Sequence, residues 1–319
     1  MDVNVLRLSS RYPVICIMGP TAAGKTPLAI ELVQRLPCEI VSVDSAMVYR
    51  GMDIGTAKPD PNTLKLAPHK LIDICDPSEA YSAGRFRQDA LQEIENIQSR
   101  NKIPLLVGGT MMYFNVLQRG LATLPTANAD IRQTLQTQID NEGLEFLYAE
   151  LLRIDIDAAK RIHPNDSQRI QRALEVYALT GKTMTAWQAE STHPLSDHPI
   201  HNIVIAPADR AWLHARIALR FEQMLKAGFV EEVEQLYHRG DLSSELPSIR
   251  SVGYRQGWDY LAGDGTYEDM REKAIAATRQ LAKRQLTWLR SWNDVTWFES
   301  REPHLVEAVR EHVERVVVG

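Results

Sequence analysis

The stretch "GPTAAGKT", Gly19 to Thr26, constrains this chain more than any other segment of comparable length. It matches G-x4-G-K-T in full. An apolar run, "VICIM" (14–18), precedes it, and a helical pattern, "PLAIELVQRL" (27–36), follows. A strand, a glycine-bounded turn and a helix in that order make a phosphate cradle. The glycines let backbone N–H groups turn towards an anion, and the helix N-terminus adds the positive end of its dipole. Lys25 supplies a point charge and Thr26 a hydroxyl that can hold Mg2+. Pro27 is tolerated in a first helical turn, where its missing N–H leaves no bond unmade. The motif specifies polyphosphate without specifying ATP.

The surrounding pattern sets the fold class. "EIVSV" (39–43) and "IPLLV" (103–107) read as further buried strands, with "AGRFRQDALQEIENIQSR" (83–100) as a helix between them. Strands alternating with helices predict an α/β fold, a P-loop NTPase-like, mostly parallel sheet with helices on both faces. Ligands of such sheets sit beyond the carboxyl ends of the strands. Near residue 121 the pattern changes. "GLATLPTANADIR" (120–132) reads as a connector, and "IRQTLQTQIDNEG", "LEFLYAELLRI" and "SQRIQRALEVYALTG" as helices. Ser167 or Asp166 caps the last of these and Gly181 ends it. "STHPLSDHPIHN" (191–202) is a second loop, and "IVIA" (203–206) is a strand again. Residues 122–201 therefore read as a helical insertion domain in a core made of 1–121 and 202–319, largely helical from Trp212 onward.

Composition narrows the function classes. The 319 residues are 44% hydrophobic and 24% charged, as in soluble globular proteins. No run approaches the ~18 apolar residues of a membrane span. The start, "MDVNVLRLSSRYP", lacks the pattern of a signal peptide. The three cysteines, Cys16, Cys38 and Cys75, are odd in number with no CxxC pair. They suit a reducing cytoplasm, with Cys16 a core residue, and neither a disulfide framework nor a zinc site. His193, His198 and His201 share a Pro-rich loop without a fourth ligand. No Ser/His/Asp triad has supporting motifs. A net charge of −5 argues against a chain coated in positive charge and leaves room for a local basic stripe.

Several further segments bear on the chemistry, most with more than one reading. "VDSAMVY" (43–49) puts Asp44 at the same sheet edge as the phosphate loop, where it can hold Mg2+, act as a general base, or cap the next turn. "LLVGGT" (105–110) ends a strand in two glycines and Thr110. It lacks a Walker-B aspartate, and no N-K-x-D motif is present, so the machinery of an ATPase or GTPase is incomplete. In "ATRQLAKRQLTWLRSW" (277–292), Arg279, Lys283 and Arg290 fall within about 40° of one another at 100° per residue. Ala277, Leu281, Trp288 and Trp292 fall opposite, which predicts a helix buried on one side and basic on the other. The basic side is either a solvated face or a phosphate-binding surface. "QRIQR" (168–172) and "RSVGYR" (250–255) are smaller basic clusters, and Tyr254 either stacks on a base or packs. Arg216 and Arg220 share a helical face and either clamp diphosphate or pair with acids such as Glu222. On these residues alone, an ATP-dependent small-molecule kinase and a nucleotide-dependent RNA-binding switch stand beside a transferase.

"GPTAAGKT", "VDSAMVYRGMDIGTAKP", "LLVGGTMMY", "RIHPNDSQRIQRALEVY", "LPSIRSVGYRQ" and "TRQLAKRQLTWLR" follow one another in this order. In that arrangement the chain closely resembles the bacterial tRNA dimethylallyltransferases, also called tRNA isopentenyltransferases, over nearly its whole length. It departs at Ala23, where many members carry Ser, and slightly at Ala46 and Met47. The resemblance implies transfer of a dimethylallyl group from dimethylallyl diphosphate to N6 of adenosine 37 in tRNA, with Mg2+ assisting. It implies that Asp44 is the base, with Thr110 and Lys25 also catalytic. Gly19, Pro20, Thr21, Ala22, Ala23, Gly24, Lys25 and Thr26 then cradle the diphosphate together with Arg220, and Thr26 holds the metal. The tRNA contacts it implies are Asp44, Ser45, Ala46, Met47, Thr110 and Arg132; Gln168, Arg169, Ile170, Gln171 and Arg172; Arg250, Ser251, Val252, Gly253, Tyr254 and Arg255; and Lys283, Arg284, Gln285, Leu286, Thr287, Trp288, Leu289 and Arg290. The insertion domain would grip the anticodon stem-loop. A cytoplasmic monomer is the expectation.

Overall fold

The computed structural model describes residues 12–120, 124–190 and 199–318. His193 and His198, much of the second loop and the first eleven residues lie outside them. In chain order the elements begin with β1 (Val14–Met18), α1 (Lys25–Arg35), β2 (Cys38–Val43), α2 (Pro61–Leu66), β3 (His69–Lys70), α3 (Ala83–Ser99), β4 (Ile103–Gly108) and α4 (Met111–Arg119). Five helices come next: α5 (Ala129–Glu142), α6 (Leu144–Ile154), α7 (Ile156–Arg161), α8 (Ser167–Thr180) and α9 (Met184–Ala189). The chain then runs through β5 (Ile200–Ala206), α10 (Arg210–Lys226), α11 (Phe229–Tyr237), α12 (Tyr254–Leu261), α13 (Tyr267–Arg290), β6 (Val295–Glu299) and α14 (Leu305–Val318). Two compact units result, one made of Met1–Leu117 with Ser196–Gly319 and the other of Gln118–Leu195.

The first unit is built on six parallel strands in the order β3-β2-β4-β1-β5-β6. β1 lies between β4 and β5, and all five of its residues are buried. That explains its unbroken apolar run, since a strand covered on both faces has no polar side to alternate with. Ile15 and Ile17 join Leu28, Leu32, Leu105, Ile203, Val309 and Val313 in one core beneath α1 and α14. From β1 the chain skips a place to reach β2, and from β4 it crosses past β1 to β5. The strand order therefore reverses between β1 and β4, and a crevice opens at their carboxyl ends. β3 and β6 did not stand out in the sequence. β3 has two residues, and β6 ("VTWFE") is an edge strand whose residues are all half-buried or exposed, so it lacks a clean apolar run.

The unit Gln118–Leu195 is helical, with its own core of Leu135, Leu147, Leu151, Ile170, Ala173, Leu174, Val176 and Met184. Asp166 is the α8 cap, its carboxylate accepting from Arg169 N–H, and Gly181 ends the helix at φ 69°. At its centre the fully buried Glu175 accepts from Asn128 N–H at 2.8 Å, Arg132 Nε at 3.0 Å and Arg172 Nη1 at 2.6 Å. Burial alone would push this carboxyl up; the two guanidiniums and the amide outweigh it and hold it below its ordinary value.

The basic helix turned differently from the expectation. α13 begins at Tyr267, and its buried line is Met270, Ala274, Ile275, Ala282, Gln285 and Leu289. Ala277 and Leu281 are only half-buried and Trp288 is exposed. Trp292, just past the helix, is buried. A polar Gln285 holds a core position because both ends of its amide are bonded, which an apolar count along the sequence does not register. Arg279 is half-buried as well, its Nε without a hydrogen-bond partner among the described residues.

The reversal point depends on close approach. A Cβ built on Gly108, the last residue of β4, would stand 1.9 Å from the Val43 carbonyl oxygen. Gly108→Ala is therefore expected to cost about 3 kcal/mol of stability, read as a lowered urea midpoint. An unchanged midpoint would mean that β2 and β4 can part freely there.

Candidate active site

The turn after β1 is shaped for an anion. Ala22 and Gly24 take positive φ, 63° and 94°, so the backbone reverses on itself ahead of α1. α1 begins at Lys25, not Pro27, and Pro27 stands in its first turn. The N–H groups of Gly24, Lys25 and Thr26 have no acceptor among the described residues, as a helix N-terminus requires. Gly19 is obligatory, because a Cβ there would come within 2.2 Å of the Ile205 carbonyl oxygen.

Two other members of the loop differ from the expected donors. Pro20 has no N–H and offers its carbonyl, which accepts from Lys25 Nζ at 2.7 Å. Thr21 N–H is already engaged, donating to Gln285 Oε1 at 2.9 Å. Gln285 Nε2 in turn donates to Gly109 O at 2.8 Å. One buried amide thus fastens the loop after β1 to the end of β4. Gln285 is a structural bracket between two loops, a role its place in a basic run conceals.

The loop opens into a cleft of about 800 Å3. Thr21, Ala22, Gly24, Lys25 and Thr26 line one part of it, with Asp44, Met47, Arg216, Arg220 and Gln285. Residues 53, 54 and 56–61, with Leu64, Leu219 and Met224, contribute to the remainder, much of it apolar. Asp44 follows the last residue of β2. Its Oδ1 accepts from Ala46 N–H at 2.8 Å and Met47 N–H at 3.2 Å, which leaves Oδ2 without a partner among the described residues. Thr110 Oγ1 accepts from Ser45 N–H at 3.1 Å and so braces the same turn. Arg216 and Arg220 both reach the phosphate loop: Arg216 Nε donates to Ala22 O at 3.3 Å, and Arg220 Nη1 lies 3.5 Å from Thr21 Oγ1. Glu222 pairs with Arg271 instead.

The electrostatics follow from this crowding. Loss of hydration pulls the Lys25 ammonium down to about 7; Arg220 adds to the fall and Asp44 opposes it. Burial likewise lowers Arg220, with Asp44 again opposing. Three cations around one carboxylate, with free N–H groups beside them, make a site short of negative charge.

Exposure sorts the remaining expected contacts. Lys283, Arg284, Thr287, Trp288 and Arg290 are exposed and Leu286 half-buried, while Leu289 is buried. Arg250 and Arg255 are exposed and Ser251 and Val252 half-buried; Gly253 and Tyr254 are buried. Tyr254 packs against Phe229 and donates to Glu232, so it presents no ring for a base to stack on. In the helical unit Gln168 and Arg169 are exposed, Gln171 and Arg172 half-buried, and Ile170 belongs to the core. Arg132 and Arg172 are both committed to Glu175. The side chains of Ile170, Tyr254 and Leu289 are buried, so within their runs it is the exposed neighbours that present side chains to solvent.

A family model described as IPP transferase matches residues 47–292. A protein named tRNA dimethylallyltransferase from Coxiella burnetii (strain Dugway 5J108-111) is 55% identical over 303 residues, covering 95% of this chain and 97% of its own. A protein of the same name from Thioalkalivibrio sulfidiphilus is 55% identical over 310 residues, covering 96% and 97%. Among solved structures, the tRNA isopentenylpyrophosphate transferase of Bacillus halodurans superposes with a TM-score of 0.71 at 35% identity, covering 96% of this chain and 97% of its own. A eukaryotic dimethylallyltransferase acting on tRNA gives 0.77 at 27% identity, covering 94% and 77%. Agreement of this extent, by family model, by sequence and by fold, places the chain in the IPP transferase family of prenyltransferases.

Proposed function

We propose that this enzyme transfers a dimethylallyl group from dimethylallyl diphosphate to N6 of adenosine 37 in tRNA, giving N6-dimethylallyladenosine and diphosphate. The observation that carries this reading is Asp44 Oδ2, unpartnered among the described residues, in a cleft with Lys25, Arg220 and the N–H groups that open α1. A base and a pyrophosphate cradle share one cavity. The exocyclic amine is a poor nucleophile because its lone pair is delocalised into the ring, and a positioned carboxylate remedies that. N6 attacks the allylic carbon, its proton passes to Asp44 Oδ2, and the carbon–oxygen bond breaks with its electron pair leaving on diphosphate. The Gly24, Lys25 and Thr26 amides, Lys25 and Arg220 stabilise the charge gathering on that leaving group. Thr110 keeps the Asp44 turn in place through Ser45.

Mg2+ suits the donor set. Among the described residues no three His, Cys, Asp or Glu side chains converge as a metal cage. Mg2+ is commonly held by few protein oxygens together with substrate phosphates and water. Thr26 lines the cleft, and we assign its hydroxyl to this role. Bound there, the ion would neutralise part of the diphosphate charge.

A stacked anticodon-loop adenine has to be extruded to reach Asp44. The exposed Lys283, Arg284, Arg290, Arg250 and Arg255, none with an acidic partner among the described residues, supply the basic surface for the anticodon stem-loop. This reconciles a net charge of −5 with an RNA partner. We assign the grip on the stem to the helical unit. The free cysteines suit a cytoplasmic enzyme, and we propose that it works as a monomer. Among the described residues no helix is long and apolar enough to cross a membrane.

The direct test offers unmodified tRNA with labelled dimethylallyl diphosphate. Label is expected in adenosine 37, and labelled ATP is expected to transfer nothing. Asp44→Asn should lower turnover by about 10²–10⁴-fold while tRNA affinity stays within threefold. Equal loss of both would remove Asp44 from the role of base. Lys283→Ala should weaken tRNA binding and reduce its logarithmic salt slope by about 1.

Lys25 predicts a pH effect. With its ammonium lowered to about 7, the free enzyme holds Lys25 largely neutral at pH 8, and bound diphosphate favours the charged form. Diphosphate affinity should therefore fall as pH rises through 7 to 9. Calorimetry at pH 8 in buffers of differing ionisation heat should read a proton uptake that is missing in Lys25→Met.

A further inference from the structure

One wall of the cleft is held by a residue that does not itself line it. Glu232, on α11, places its carboxylate under three consecutive backbone amides. Oε2 accepts from Asp53 N–H at 3.0 Å and Ile54 N–H at 2.8 Å, and Oε1 from Gly55 N–H at 3.1 Å. The Tyr254 hydroxyl donates to the same Oε1 at 2.5 Å. Successive amides turned to one side form an anion-binding nest, and here the anion is the protein's own. The seat is tight, since a Cβ on Gly55 would lie 2.5 Å from the Phe229 ring and 2.6 Å from that of Tyr254. Asp53 and Ile54 line the cleft opened by the phosphate loop, as do Thr56, Ala57 and Lys58 just beyond. Lys58 is fixed in turn, donating to the Tyr49 carbonyl at 3.0 Å and pairing with Asp53 and Asp73.

We propose that Glu232 is a positioning residue for the prenyl donor: by holding the amides of residues 53–55 it fixes the cleft wall, and so sets donor affinity without touching the donor. This rests on the donor occupying that cleft. Only a carboxylate serves fully. It accepts from every donor around it, whereas an amide of the same size must turn an NH2 group towards an N–H or the tyrosine hydroxyl, losing bonds and adding repulsion. A displaced wall weakens binding of a donor that fits between it and the phosphate loop, while the basic surface of α13 stays as it was.

The test measures steady-state kinetics with dimethylallyl diphosphate and unmodified tRNA, and tRNA affinity without donor. Glu232→Gln is expected to raise the donor KM at least tenfold, with kcat within threefold and tRNA affinity within twofold of the parent. Glu232→Asp, which keeps an acceptor for the amides, should recover part of the loss. Glu231→Gln, on the exposed neighbour, should leave the donor KM unchanged. The proposal is overturned if Glu232→Gln binds donor normally. It is also overturned if donor KM, kcat and tRNA affinity worsen together in step with a lower melting temperature, as loss of fold alone would produce. Should Glu232→Gln fail to fold, the same split is read on Glu232→Asp, and a normal donor KM there overturns the proposal. A parent enzyme that moves no label from donor to tRNA would instead overturn the assigned reaction.

Discussion

The site depends on how close four strand ends can come. Just past β1, Gly19 meets the Ile205 carbonyl of β5, and at the end of β4, Gly108 meets the Val43 carbonyl of β2; neither contact leaves room for a side chain. That convergence brings the loop after β1, Asp44 after β2 and Gly109 after β4 to one end of the sheet, where Gln285 fastens two of them. Its amide ties Thr21 N–H to the Gly109 carbonyl. The bond to Gly109 is buried, so breaking it would leave a polar group unpaired, and the bracket is correspondingly rigid.

Rigidity matters because the chemistry asks little covalent work of the protein. In the proposed reaction the acceptor amine needs a base at a fixed distance, and the leaving group needs fixed positive charge. Preorganised amides and cations do this best when nothing must move to meet the developing charge. Lys25 shows the tension in such a site. Crowded by Arg220 and short of water, it gives up its proton more readily than a free lysine.

The two basic regions illustrate how charge is read. On α13, cations without acidic partners among the described residues stand beside buried Gln285 and Leu289, so a run that looks uniform in sequence divides into a surface and a bracket. In the helical unit, Arg132 and Arg172 converge on Glu175 and stabilise that unit's core. Spacing alone does not separate these cases, because the partner of Arg132 lies 43 residues further on.

The residues by themselves determined what is local. The phosphate loop, the helix end at Gly181, the buried strands and the family motifs are each written within a short run of neighbouring positions, where backbone geometry and apolar spacing act directly. Tertiary structure alone decided the strand order, the turn of α13 about its axis, the burial of Tyr254 and the role of Gln285. It alone revealed Glu232 beneath residues 53–55. Gln285 and Glu232 meet partners 264 and 179 residues away in the chain. At such separations a hydrogen-bond partner or a packed ring is chosen by the assembled sheet and helices, and it leaves no periodic mark on the sequence.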